Sequence, residues 1–576
     1  LTDDFMEAVK NDETYDQYFD FNGTIKTINI KAKPLWNKII HQAWKSAEPG
    51  VLFWDKVTEE SPADCYKEFK TLSVNPCGEL PLTSYDSCRL GHINLYSYVS
   101  DPFTKDAFFN FEWSKFEKDV QKAQRLMDDM IDLEEEKINA ILQKIENDPE
   151  DNTIKQQELL LWMKIKETLK KGRRTGLGVT GEADMLAALE MKYDQDEAII
   201  FSEMVHQTLA LFSYKSSIQM AKERGCFPVW NEKSEKNNPF LNRILSNIDD
   251  DSFFNYKTDG RRNIANLTVA PTGTTSLMTQ TSSGIEPVFQ IQYKRRRKVS
   301  EDTPGAYKGE DDNWWEEYNI FHKPFMDFID SQWWENNFED GTKITGKWYS
   351  DIDLQPQTVN YFIEKSPYYQ STANEIDYEK KIEMQGKIQE WVDHSISVTH
   401  NLPENVSEEE VARLYMKAWE EGCKGMTIYR QGSREGILLN NSDSNDVKFQ
   451  YNDAPKRPKE VQCNILRPQI KGEEYVVLVG MVEEKPYEIF AFKKNGVKFK
   501  KAVDNGILKK KKRGVYDLLT KDEEVLVEDV ASKFETPEQE DITRLLSWGL
   551  RHGGNIKFAV EQLQKSYGSL MDYSKV

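Results

Sequence analysis

An amide, a thiol and a carboxylate stand two residues apart at Asn75, Cys77 and Glu79, inside the string SVNPCGELPLTSYDSCRLGHINL, residues 73–95. The thiol can attack or carry a radical, the carboxylate can take a proton, and the amide can hold a hydroxyl group. In an extended backbone, residues two apart project to one face, so these three are expected to point together while Pro76 and Gly78 shape the loop. A second thiol, Cys88, follows eleven residues after Cys77, close enough for a return loop to bring it alongside. A buried cysteine is ordinarily inert. The acid, the amide and the second thiol in its company are what point to chemistry. A nucleophilic cysteine would need a histidine base, and His92, the only one nearby in sequence, reads as structural.

A second set of polar residues lies at 262–290, RNIANLTVAPTGTTSLMTQTSSGIEPVF. A strand ending at Ala270 runs into Pro271, Thr272, Gly273, Thr274 and Thr275 and then a helix. Such a turn offers free backbone N–H groups and a positive helix end to an anion. The glycines of RRTGLGVTGEADML (Arg173 to Leu186) do not make GxGxxG and follow no clear strand, so a dinucleotide site is rejected.

These residues must be positioned by a large soluble fold. The chain has 576 residues, a net charge of −21, and 30% charged residues. That acidity disfavours a nucleic-acid backbone as partner, and no apolar run is long enough to span a membrane. Six cysteines, none in CxxC, exclude a disulfide framework and a structural zinc. The default compartment is therefore reducing and cytoplasmic. The opening LTDDFMEAVK reads as a helix capped by Thr2 or Asp3, and the absence of an initial Met suggests a fragment or a segment joined to upstream sequence. GTIKTINIKAK is strand-like, and Phe111 to Lys171 carries the three- and four-residue spacing of amphipathic helices. Residues 300–375, acidic and rich in Trp and Tyr, are expected to form a peripheral insertion. Ser407 with Glu410 makes a capping box. A catalytic domain over 1–440, a polar linker over 441–465 and a small α+β domain over 466–576 are expected. In the small domain, EEYVVLVGMVEEKPYEIFAFKKNG reads as a hairpin, Lys509–Arg513 as a solvated turn, and a last helix begins near Pro537.

The string around Cys77 closely resembles the active-site loop of ribonucleotide reductase large chains. Its form Asn-Pro-Cys-Gly-Glu is similar to the adenosylcobalamin-dependent class. RRTGLGVTGEADML, APTGTTSL with SSGIEPVF, IQEWVDHSISVTHNLP and GCKGMTIYRQGSR resemble further blocks of that family, in its order, and the resemblance covers most of the chain. It implies an α/β fold, a ten-stranded α/β barrel with a central finger loop, and reduction of ribonucleotides, with a block pattern resembling the diphosphate group. It further implies that Cys77 is a transient thiyl radical that removes the 3′-hydrogen, that Glu79 accepts the 3′-hydroxyl proton and that Asn75 bonds substrate hydroxyls. Residues 75–79 and 271–275 would bind substrate, the latter through its phosphates. Cys88 would be one of two cysteines that become a disulfide, its partner lying in an N-terminal part that this chain lacks. The carboxyl end lacks the usual re-reducing cysteine pair. Expected partners are an external dithiol such as thioredoxin, an N-terminal reductase fragment in trans and a second copy of the chain, and a lone chain is not expected to turn over repeatedly.

The iron-dependent class is the alternative, but it wants a tyrosine pair where only Tyr429 stands. A glycyl-radical form wants an Arg-x-x-Gly-Tyr loop, which is absent. A non-catalytic scaffold would be expected to lose Asn75, Cys77 or Glu79. The sequence carries no Asp-x-His-x-x-Gly motif, so no cobalamin-binding residues and no metal ligands are assigned.

Overall fold

Thr2 caps the first helix, Asp3–Lys10, by accepting a hydrogen bond from the Phe5 N–H, and the helix buries Phe5, Met6 and Val9. The computed structural model describes residues 1–576 except 88, 105–108, 249–255, 301–302, 304–305, 309–312, 332–355, 434–456, 471–472, 483–484, 495–502, 513, 535–536 and 553–576. The chain forms two units, Leu1–Asn441 and Ser442–Val576.

In the first unit one series of strand segments has parallel neighbours, while Thr14–Phe21 with Thr24–Lys31 and Gln292–Val299 with Trp314–Phe321 form separate antiparallel pairs. Leu90–Asn94 pairs with Gly176–Thr180, Leu177 bridges Leu267, and Val269 bridges Ile396. The chain runs on into Thr399–Leu402, which pairs with Gly425–Arg430. All these pairs are parallel. Val51–Leu52 adds an antiparallel edge against Gly425 and Met426. Parallel neighbours require crossovers, and helices supply them. Trp113–Asn147 and Asn152–Gly172 lie between the first two strands, Glu182–Ala188 and Asp196–Arg224 follow the second, and Glu408–Glu420 precedes the last. Ser407 caps that last helix by accepting from the Glu410 N–H. The unit is α/β, and every residue of Gly176–Thr180 is buried, as a parallel strand covered on both faces requires.

The glycines of the 173–186 motif have a packing cause. A Cβ at Gly178 would lie 2.1 Å from the Thr268 carbonyl oxygen, and one at Gly176 would lie 2.9 Å from the Thr268 methyl. Glycine there lets the neighbouring strand come close.

Two boundaries differ from expectation. Residues 300–375 are not simply peripheral, because Phe325, Phe328, Phe362 and Tyr368 are buried in the main core. The Trp-rich acidic text hides a helix, Lys323–Ser331, with a single apolar face. The stretch expected as linker to 465 ends in a strand, Glu460–Leu466, whose Val461, Cys463 and Ile465 alternate inward. It lies between Glu473–Val482 and Asn505–Lys512 in an antiparallel sheet. Residues 441–456 lie outside the described set. The expected hairpin pairs Glu473–Val482 with Lys485–Lys493, and the closing helix is Pro537–Arg551. Lys509 and Lys511 belong to a strand instead of a turn. Their ammonium groups meet Glu460 at 2.6 Å and Asp517 at 3.1 Å.

Gly178→Ala is expected to cost about 3 kcal/mol in urea unfolding, because the clashing atom is backbone and cannot swing away. Ala at Gly273, where an added Cβ meets nothing within 4 Å, should change stability far less.

Candidate active site

The string around Cys77 folds as a short hairpin. Ser73 pairs with Leu82 and Val74 with Pro81, leaving Asn75–Leu80 as the tip. The Gly78 N–H donates to the Asn75 carbonyl at 3.0 Å, closing a tight turn with Pro76 at its second position. Gly78 has φ +83°, which explains the glycine. The tip is therefore turned, not extended, and the expected one-face projection of Asn75, Cys77 and Glu79 does not arise from strand alternation. The Asn75 Oδ1 accepts from the Leu80 N–H at 3.0 Å, so part of this amide holds the tip together. Its Nδ2 is the end left to donate to a ligand.

Glu79 is held in place by its own backbone. Its carbonyl accepts from the Ser395 N–H at 2.9 Å and from the Thr268 hydroxyl at 2.8 Å. Residues 268 and 395 belong to the two middle segments of the parallel series, so the hairpin is fastened across its centre. The Glu79 side chain is 2% exposed, and its Oε2 is buried with no hydrogen-bond partner. A buried acceptor without a partner is costly and marks a site awaiting one. Cys77, by contrast, is exposed. Partial burial raises its thiol pKa, and the nearby Glu79 charge raises it further. The thiol is thus held as S–H, the reverse of the environment that activates a nucleophilic cysteine.

Pro76, Cys77 and Gly78 form one wall of a cavity of about 320 Å³. Pro271 faces them from the second motif, and Ser397, Thr399 and Thr427 supply hydroxyls. The structure therefore brings the cysteine tip and the start of the 271–275 turn to the same cavity. That turn differs from expectation in one respect. Thr272 has a left-handed backbone, φ 52°, and its hydroxyl is occupied, accepting from the Gly284 N–H at 2.7 Å and lying 3.2 Å from the Thr180 hydroxyl. It braces the turn. Gly273, Thr274 and Thr275 are exposed and open the helix Gly273–Thr279, with first-turn amides that have no acceptor within the helix.

Cys88 lies outside the described residues. Its flanks are fixed by buried ion pairs: Asp86 accepts from the Arg174 Nε at 2.7 Å, and the Arg89 guanidinium binds Glu134. His92, on the strand Leu90–Asn94, is largely buried and its pKa is lowered by that burial, in keeping with a structural role. The residues that the motif reading did not single out are the cavity wall 396–399 and the anchors Thr268 and Ser395. The first lies inside the quoted block IQEWVDHSISVTHNLP, but no residue type in it announces a site. Among the described residues, no helix is long and apolar enough to cross a membrane.

Residues 1–429 match the family described as "Ribonucleotide reductase, barrel domain", and residues 461–573 match "NrdJ homologue C-terminal domain". The chain is 30% identical over 446 residues to a "Vitamin B12-dependent ribonucleoside-diphosphate reductase" of Thermoplasma acidophilum, covering 76% of this chain and 47% of that protein. It is 28% identical over 445 residues to the protein of the same description from Mycobacterium tuberculosis strain CDC 1551 / Oshkosh, covering 77% and 53%. The chain thus spans about half the length of the curated relatives it matches. Among solved structures, the Actinobacillus ureae class Id ribonucleotide reductase alpha subunit aligns with TM-score 0.44 at 16% identity, over 75% of this chain and 64% of that one. With a cysteine-bearing hairpin fastened across a parallel α/β series and a family match running from residue 1 to residue 429, this chain belongs to the ribonucleotide reductase large-chain barrel family.

Proposed function

We propose that this chain is the catalytic barrel of an adenosylcobalamin-dependent ribonucleoside-diphosphate reductase working in the reducing cytoplasm. The observation that carries the reading is the cavity shared by the exposed Cys77 thiol and Pro271 of the anion turn, with the buried Glu79 carboxylate behind the tip, close enough for its charge to help keep the thiol protonated and with one oxygen unpartnered. The residues fit an external radical source, because Cys77 opens onto the cavity and not into the core. Leu52, Met426 and Thr427 also line that cavity and would face the cofactor. When bound, adenosylcobalamin supplies the initiating radical.

The residues then divide the work. The Cys77 sulfur, as a thiyl radical, takes the hydrogen atom from C3′ and becomes S–H again. The Glu79 carboxylate accepts the 3′-hydroxyl proton, and its buried, unpartnered Oε2 gives that proton an acceptor inside the site. The Asn75 Nδ2 donates to a substrate hydroxyl, and the 273–275 amides receive phosphate oxygens. Loss of the 2′-hydroxyl as water takes two electrons and two protons from a dithiol comprising Cys88 and a second cysteine, after which the Cys77 S–H returns its hydrogen atom to C3′ and Glu79 returns its proton to the 3′-oxygen, regenerating both groups. An external dithiol of the thioredoxin kind then reduces the resulting disulfide.

We also propose a second copy of this chain as partner. Leu126, Met130 and Leu133 recur at helical spacing on Trp113–Asn147, each exposed, and the exposed Leu160 and Met163 stand three apart on Asn152–Gly172. A self-complementary apolar face of this kind suits a two-fold interface.

In the reconstituted reductase with adenosylcobalamin and a dithiol, Cys77→Ser should lower ribonucleoside-diphosphate reduction by at least ~10³-fold, because a serine hydroxyl does not carry the radical. Reduction at the normal rate would remove Cys77 from the mechanism. Glu79→Gln keeps the shape but cannot take a proton, so a loss of about 10²-fold in kcat with little change in KM is expected. Leu133→Glu should shift sedimentation from dimer to monomer, and an unchanged sedimentation coefficient would count against the helical face.

A further inference from the structure

Lys424 is 1% exposed, and it lies immediately before Gly425, Met426 and Thr427 of the cavity wall. Its ammonium donates to three successive carbonyls, of Val392 at 3.2 Å, Asp393 at 2.7 Å and His394 at 2.6 Å. The three acceptors match the three N–H groups of an ammonium ion. The next residue is Ser395, whose N–H binds the Glu79 carbonyl. The same corner is held from its other side. The Asp393 carboxylate accepts from the Asn266 N–H at 2.7 Å, the Leu267 N–H at 2.8 Å and the Tyr214 hydroxyl at 2.7 Å.

We propose that Lys424 is a positioning residue for Glu79, acting through the 392–395 corner to set where the carboxylate stands relative to the Cys77 sulfur. Lys424 touches neither the cavity-facing thiol nor the acid. It fixes the direction of the chain at 392–394, and so the direction in which the Ser395 N–H points. Neither the motif reading nor the family match assigns it this role.

The electrostatics around Lys424 support a device with narrow tolerance. Complete burial pushes its pKa down to about 8. Glu60 and Asp393 favour the charged form, whereas Lys56 and Arg243 oppose it. Glu60 is itself engaged by the Arg243 guanidinium at 3.1 Å. Above pH 8 the amine keeps only two N–H groups for three carbonyls, and the corner loses one of its holds.

The test reads Cys77 directly and does not depend on turnover, so its outcome is separate from that of the reductase reading on which the role of Glu79 rests. The rate of iodoacetamide alkylation at Cys77 is followed against pH by peptide mass spectrometry in the full chain. The thiol pKa is raised partly by the Glu79 charge, so Glu79→Gln should speed alkylation at pH 7.5 by about twofold. Lys424→Met should give the same acceleration, and the double variant should show no more than either alone, because both act through one carboxylate. Lys424→Gln, which keeps two N–H donors, should fall between wild type and Lys424→Met, and it stands in should the methionine variant fail to fold. A folded Lys424 variant with the wild-type alkylation profile overturns the proposal, as does full additivity with Glu79→Gln.

Discussion

Two hydrogen bonds to one carbonyl oxygen, that of Glu79, decide where Asn75, Cys77 and Glu79 stand. The hairpin that carries them has only two paired residues on each leg, and such a hairpin is not stable alone. Its placement comes from the Ser395 N–H and the Thr268 hydroxyl, each supplying a net of about 1 kcal/mol but together fixing a direction as well as a position. The donors come from the two middle segments of the parallel series. The loop is therefore referenced to buried segments in the middle of that series.

That reference frame is built from buried polar groups as much as from apolar ones. His394 lies 2.8 Å from the Leu267 carbonyl through Nδ1 and 3.0 Å from the Arg174 guanidinium through Nε2. Burial holds its pKa down at about 4, so the ring is neutral and takes the arginine N–H as an acceptor while donating through Nδ1. Arg174 continues to Asp86, next but one to Cys88 in the chain. Buried charges of this kind add little net stability when replaced by well-packed apolar groups, but removing one partner is expensive. Their use here is geometric: directional hydrogen bonds favour one arrangement, whereas an apolar contact tolerates several.

The residue types that make up the candidate site were legible in the sequence, and so were the helices around them. Asn75, Cys77 and Glu79 announce chemistry by what they are, and Thr2, Ser407 and the 111–171 spacing announce helices by local rules that hold without tertiary context. What failed was geometry set at long range. Alternation in an extended chain gave the wrong reason for Cys77 and Glu79 to meet, since Pro76 and Gly78 turn the backbone within four residues. The part of Thr272 in bracing its own turn, through a hydroxyl that accepts from the Gly284 N–H, depends on a residue twelve positions on and has no local signal. The walls at 396–399 and 425–427 come from more than 300 residues away, and no spacing rule connects them to Cys77. The strand at Glu460–Leu466 was hidden because a polar, Pro-containing text runs up to its first residue, and only the alternation of Val461, Cys463 and Ile465 reveals it.

A raised thiol pKa alone does not mark the working cysteine. Burial raises Cys65 to about 11 and Cys463 to about 12, and it raises the fully buried Cys423 further still. Cys423 and Cys463 are buried and Cys65 half-buried, and none of the three lines the cavity that Cys77 borders. Cys77 shares their protonated state and differs in place: it is exposed to a cavity, and a carboxylate adds to the effect of partial burial. Nucleophilic catalysis would require the opposite electrostatics, with a cation or a helix N-terminus stabilising thiolate. Hydrogen-atom transfer requires an intact S–H bond at neutral pH beside a base for a different proton. An acid close to a cysteine is a defect for the first chemistry and a requirement for the second, so the pairing of Cys77 with Glu79 discriminates between them more sharply than either residue alone.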